Sequence, residues 1–196
     1  MHPNPAFRAE DDIRSIDAAV AIGFAHIFVA NGDGPMVVHA PVTRAGSRLQ
    51  FHVARANRAT AHLDGATVLV SVVGAHGYVS PNWYVDHTNQ VPTWNYVVIE
   101  IDGVARAIDD AALVEQLDAL ARFHEPRVNP DNPWSQDKMD ETVFARMRGG
   151  IRGFEVTVTA IRGTTKLGQN RSLADRAGIV AGLVACGNTA LAEAMA

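Results

Sequence analysis

Two cations and two amides fall within six residues in the stretch Lys166-Leu-Gly-Gln-Asn-Arg171. It follows an alternating apolar run and precedes Ser172, a favourable helix cap, so these groups stand beside a helix N-terminus. Free N–H groups, the helix dipole and the Lys166 and Arg171 charges all favour an anion there. A solvated basic turn is the commoner use of such residues. The adjoining amides of Gln169 and Asn170 turn the reading toward phosphate or another acidic group. A second polar junction, His52-Val-Ala-Arg-Ala-Asn57, ends a strand pattern in Arg55 and Asn57. Arg55 can fork onto phosphate oxygens, whereas His52 reads as a core or surface histidine.

Aromatic side chains cluster in two further stretches of a chain that is only 7% aromatic. In Tyr78-Val-Ser-Pro-Asn-Trp-Tyr84 the rings alternate with hydrogen-bonding groups, and Pro81 fixes a turn. Rings with a polar tip can stack on a planar ligand and bond its rim. For Trp83 and Tyr84, packing against the protein is an equal reading, and Ser80 is either a turn cap or a ligand hydroxyl. In Val91-Pro-Thr-Trp-Asn-Tyr96, strand parity puts Thr93 and Asn95 on one face and Trp94 and Tyr96 on the other. Buried polar side chains need partners, so Thr93 and Asn95 meet either a neighbouring loop or a ligand.

The elements that must position these residues follow from periodicity. Helices are expected over Asp11–Ile22, with Ile13, Ala18 and Ile22 on an apolar face, over Asp110–Phe123, from a cap at Ser135 to Met147, and from a cap at Ser172 to Leu183, with a short one after Gly187. One or two helical turns are expected within Asn57–Leu63. Strands are expected at Ala25–Ala30, Pro35–Ala40, Leu49–Ala54, Ala66–Val73 continuing through Ser80, Trp94–Ala107 and Phe154–Ile161. Asn31-Gly-Asp-Gly34 reads as a hairpin turn, and Asp102-Gly103 as a second one that breaks the longest strand. Six to eight strands in hairpins with helices between them predict an α+β barrel decorated by helices, in a single domain with a helical insertion over 110–148.

Composition narrows the function classes. Net charge is −4, so there is no whole-chain basic footprint for DNA. No apolar run reaches the ~20 residues of a membrane span, and the first residues lack the pattern of a secretory signal. The single cysteine, Cys186, excludes an internal disulfide, and its Ala/Val/Gly neighbours predict a small buried residue. These features predict a cytoplasmic protein. Phosphate-loop, dinucleotide-fingerprint, nucleophile-elbow and HExxH patterns are all absent, no metal-ligand spacing occurs, and no side chain stands out as a catalytic acid.

At these residues the chain resembles the PaiB-like family of FMN-binding negative transcriptional regulators. The resemblance rests on His52, Ala54, Arg55 and Asn57, on His76, Tyr78, Ser80, Pro81, Trp83 and Tyr84, on the whole of Val91–Tyr96, and on Lys166, Leu167, Gln169, Asn170 and Arg171, in that order. Gly168 and Asn82 stand where the family has serine, Gly77 where it has alanine, and His2 where it has an aromatic. The resemblance implies a split β-barrel related to the pyridoxamine-phosphate-oxidase-like flavoproteins, a homodimer, and FMN as cofactor. It makes Arg55, Lys166 and Arg171 candidates for the phosphate. Ser80, Thr93, Asn95, Gln169 and Asn170 become candidates for the ribityl chain or ring rim, Tyr78, Trp83, Trp94 and Tyr96 for the ring wall or the dimer interface, and Asn57 a cofactor-binding candidate with no part of the cofactor assigned to it. An FMN-dependent oxidoreductase is the alternative it leaves open, and a split-barrel binder of haem through His52 or His76 is a weaker one.

Overall fold

Six strands of alternating apolar residues close on themselves in the order β1-β2-β3-β6-β5-β4. They are β1 (Phe24–Asn31), β2 (Gly34–Ala45), β3 (Arg48–Ala54), β4 (Thr67–Val79), β5 (Thr93–Ala107) and β6 (Ile151–Lys166). The helices are α1 (Asp12–Ile22), α2 (Thr60–Leu63), α3 (Asp110–Val128), α4 (Glu141–Arg148), α5 (Leu173–Ala185) and α6 (Thr189–Met195). The structure is a computed structural model and describes residues 3–8, 12–32 and 34–196. His2, Asp11, Asp33 and the side chain of Ile13 lie outside the described residues.

The chain divides into two compact units. One comprises Ile16–Val72 and Glu100–Ile161; the other comprises Met1–Ser15, Val73–Ile99 and Arg162–Ala196. In the first, the expected hairpin joins β1 to β2, with Asn31 opposite Gly34 and Gly34 at φ 110°. β3 pairs with β2 and β6, and β1 closes onto β4 through His26 opposite Ser71 and Val29 opposite Val68. Ile27, Val38, Leu49, Phe51, Val70, Ile101 and Phe154 point into this core, where the Phe51 and Phe154 rings stack at 5.5 Å. In the second unit, α5 and α6 bury Val79, Tyr84, Ile179, Leu183, Leu191 and Met195 in a cluster of their own.

Several expectations are corrected. Asp102-Gly103 is no turn: β5 runs unbroken through it. A Cβ on Gly103 would lie 2.4 Å from Val156 Cγ1 and 2.5 Å from the Thr157 carbonyl oxygen, so the glycine admits a close approach of β6. β6, at 16 residues, is longer than β5 at 15. Asp140 caps α4, with its carboxylate accepting from Thr142 N and Val143 N, whereas Ser135 makes no side-chain cap. Ser15, Ile16 and Ala19 form the buried face of α1, while Ala18 and Ile22 are exposed. α3 runs past Phe123 through Pro126 to Val128. Cys186 is exposed: it is the C-cap at the end of α5, past the last helical residue Ala185.

Candidate functional site

The loop after β6 is built to turn sharply. Gly168 takes φ +73°, a conformation that L side chains resist, and the Arg171 N–H closes a turn onto the Gly168 carbonyl at 2.9 Å. Glycine takes this conformation without the strain that a serine there would carry, and in exchange the loop lacks the hydroxyl. Gln169 braces the loop with both ends of its amide: Oε1 accepts from Leu167 N at 2.8 Å and Nε2 donates to the Thr165 carbonyl. Ser172 then caps α5 by accepting from Asp175 N at 3.0 Å.

The turn throws Lys166 and Arg171 into one cavity of about 310 Å³, where Thr93, Asn95 and Asn170 join them. That volume is at the small end for ligand pockets. Lys166 Nζ donates to Thr93 Oγ1 at 2.6 Å. Arg171 Nη1 donates to Gln90 Oε1 at 3.0 Å, and its guanidinium lies over the Tyr84 ring at 4.4 Å. Asn95, 2% exposed, donates from Nδ2 to Met195 Sδ at 3.4 Å. Tyr84, Val91, Pro92, Phe7 and Ile179 supply apolar walls.

Among the described lining residues two are cations and none is a carboxylate. The two cations donate to neutral acceptors, Thr93 Oγ1 and Gln90 Oε1, and the described lining is net positive, which favours an anion. Desolvation, reinforced by the Arg171 charge, pushes the Lys166 pKa down. The nearest counter-charge at the helix start is Asp175. Its carboxyl is held below the usual range, first by the Val85 N–H that it accepts at 2.9 Å. Asp175 thus favours the α5 N-terminus and also attracts Arg171 through space, while Lys166 and Arg171 are the cations that line the cavity.

The structure therefore brings together Tyr84, Thr93, Asn95, Lys166, Asn170 and Arg171 from the residues singled out in the sequence. The others stand elsewhere. Ser80 Oγ accepts from Asn82 N at 3.2 Å and caps the 3₁₀ turn Pro81–Trp83. Trp83 packs on α5: a Cβ on Gly182 would fall 2.4 Å from its ring. Tyr78 and Trp94 are half exposed, Trp94 stacked against His76 at 6.0 Å and edge-on to Tyr78. In the other unit, Arg55 Nε donates to the Gly149 carbonyl at 2.8 Å, and Asn57 Oδ1 accepts from Ala59 N at 2.9 Å. Gln90 and Phe7 were not read from the sequence. An isolated glutamine in a loop and a lone phenylalanine near the chain start carry no pattern, and only the fold brings Phe7 to the cavity and Gln90 to Arg171.

Residues 1–160 match the model of the family described as "Putative FMN-binding domain". The chain belongs to that family. The cofactor named by the FMN-binding family is the one expected from the sequence, and the PaiB-like resemblance is matched by a relative. The Bacillus subtilis protease synthase and sporulation protein PAI 2 is 34% identical over 113 residues, 58% of this chain and 53% of that protein. The chain thus aligns with about half the length of that relative. An uncharacterized protein of Emericella nidulans is 27% identical over 189 residues, covering 80% of this chain and 75% of its own.

Solved structures share the split-barrel fold. The FAD and heme binding protein of Mycobacterium smegmatis superposes with a TM-score of 0.61 at 17% identity, over 92% of this chain and 80% of its own. The flavocytochrome Anf3 of Azotobacter vinelandii gives 0.62 at 15% identity, over 90% and 78%. The α+β split-barrel expectation is borne out. Among the described residues no helix is long and apolar enough to cross a membrane.

Proposed function

We propose that this FMN-binding family member is a homodimeric, cytoplasmic, PaiB-like negative regulator of transcription that seats the FMN phosphate between Lys166 and Arg171. One observation carries the ligand reading: two cations converge on a cavity whose described lining holds no carboxylate. The donor set fits the group. Lys166 and Arg171 suit a phosphate dianion, and Thr93, Asn95 and Asn170 offer hydroxyl and amide partners to a polyhydroxylated chain. Bound there, FMN would supply hydride or electron transfer, and Lys166 and Arg171 would hold its phosphate end.

The small cavity suits the phosphate and ribityl end. A second copy of the chain is the partner that would complete a wall for the ring, and it gives a use to Arg55, Asn57, Tyr78 and Trp94, which do not line this cavity. Regulation by an indirect route agrees with the net charge of −4, which disfavours a broad DNA footprint. Promoter DNA retarded in a steeply salt-dependent way would instead point to direct contact. Turnover of NAD(P)H with an electron acceptor would favour the oxidoreductase reading.

The phosphate assignment is tested by comparing FMN with riboflavin. Lys166→Ala or Arg171→Ala should weaken FMN by roughly 10- to 100-fold, the worth of a charge-assisted contact of about 1.5–3 kcal/mol. Riboflavin should lose less than about threefold. Equal losses for both ligands in a fluorescence-quenching titration would overturn the assignment.

A further inference from the structure

Two histidines face each other across the β1–β2 hairpin, His26 standing opposite His39 in the strand register. Ala25 and Ile27 on β1, and Val38 and Ala40 on β2, are buried in the barrel core, so alternation turns both imidazoles to the outer face. His39 is exposed and His26 half-buried. The ring centres lie 5.0 Å apart, with the planes at 88°. The edge of Phe24 meets His26 at 6.4 Å, but neither imidazole has a hydrogen-bond or ion-pair partner among the described residues. A neutral imidazole carries one nitrogen lone pair, so the pair presents two uncommitted donors. Their separation in the sequence gives no metal-ligand spacing; the hairpin register alone brings them together.

The distance between them is that of a chelate. Zinc binds imidazole nitrogen at about 2.0–2.1 Å, which puts the ring centres of two imidazoles at a tetrahedral site roughly 5 Å apart. The Cβ–Cγ axis of histidine passes close to the ring centre, and rotation about it is soft. Such rotation swings a nitrogen toward the partner ring and leaves the centres in place.

The surroundings select the class of ion. Phe24, Phe28, Val37, Leu69 and Ser71 neighbour the pair on this face, and none of them is a carboxylate. Calcium, which takes about six to eight oxygen ligands, finds at most the Ser71 hydroxyl. Imidazole suits zinc, copper and nickel. No third His, Cys, Asp or Glu joins the two among the described residues, so water would complete the coordination.

We propose that His26 and His39 form a two-histidine site for a divalent transition-metal ion of the zinc class on the outer face of the β1–β2 hairpin. The site uses none of the residues assigned to FMN.

Titration of the full-length, tag-free protein with zinc chloride, and separately with calcium chloride, tests this through the ring proton resonances of His26 and His39. Zinc should shift both sets together and saturate them; calcium should move neither. His26→Gln and His39→Gln should each weaken zinc at this site roughly tenfold or more, because either leaves a single imidazole. FMN affinity should stay within about twofold in both variants. His39 is exposed, so its replacement leaves the core intact, and the wild-type resonances give an answer that needs no variant. Zinc that leaves both sets of resonances in place would overturn the proposal. So would full zinc affinity in either variant, which would put the ion on other side chains, and so would calcium shifting the pair as zinc does.

Discussion

Lys166 sits where its charge is both useful and weakened. Burial disfavours its ammonium form, and Arg171 adds a like charge, so the side chain gives up its proton at lower pH than a free lysine. A phosphate placed between the two cations reverses that balance. By linkage, binding FMN must raise the Lys166 pKa, so FMN affinity falls as pH rises through the depressed value and the ammonium is lost before binding. Isothermal titration from pH 7 to 10 should show FMN affinity declining earlier than an ordinary lysine would dictate, with net proton uptake in that window. Lys166→Arg should flatten the profile because arginine stays charged. Riboflavin affinity should not follow the curve. Two glycines at this scale were legible only as departures from a family pattern. Gly168 carries φ +73°. Gly77 makes room for Asn188, whose Nδ2 donates to the His76 carbonyl at 3.0 Å while its Oδ1 caps α6 through Leu191 N at 3.2 Å. A sequence shows that a side chain is missing, but not which neighbour has taken its place.

Elements were read well where their signal is local and poorly where it is tertiary. The β1–β2 hairpin, the Ser172 cap and the end of α4, expected at Met147 and found at Arg148, depend on turn and cap chemistry within a few residues, and all were legible. Gly103 misled because Asp-Gly carries the same local signature whether it bends a chain or lets another strand pass close. Gly103→Ala should therefore cost about 3 kcal/mol or more, above an ordinary strand glycine, because the Thr157 backbone cannot yield as a side chain would. Urea denaturation reads this directly; a loss under about 1 kcal/mol would show that β6 can retreat. His52 ties α3 to β3 through a 3.1 Å contact with Gln116 Oε1. Its pKa is lowered chiefly by burial, with the Gln116 contact opposing. The unfolded chain then binds protons that the folded state refuses, so stability is complete above about pH 6.5 and is lost as pH falls through the folded-state value. A chemical-denaturation series from pH 8 to 4.5 should show that decline, and His52→Gln should remove the His52 share of it.

For the whole molecule the open question is what meets the exposed face of β4 and β5. Burial along β4 changes phase at Gly74-Ala75: Val68, Val70 and Val72 are buried before it, Gly77 and Val79 after it. This one-residue change, of the kind a bulge makes, turns His76 and Tyr78 outward beside Trp94. Tyr78 is 50% exposed and Trp94 48%. Strand parity already separated Trp94 from Thr93 and Asn95, but the phase change in β4 is a tertiary event that no alternation rule supplies. Grouped aromatic rings of this size on a surface mark an interface more often than a solvated face, and a charge among them is poorly tolerated once they are covered. Light scattering at micromolar concentration should therefore give twice the 21.0 kDa chain mass. Trp94→Asp should shift the particle toward one chain while leaving the circular dichroism of the barrel unchanged. If a second copy helps enclose the ring, the same substitution should weaken riboflavin and FMN alike, in contrast to Lys166→Ala, which acts on FMN. A wild-type protein of single-chain mass that binds FMN at full affinity would overturn the homodimer and leave the Lys166–Arg171 cavity standing alone.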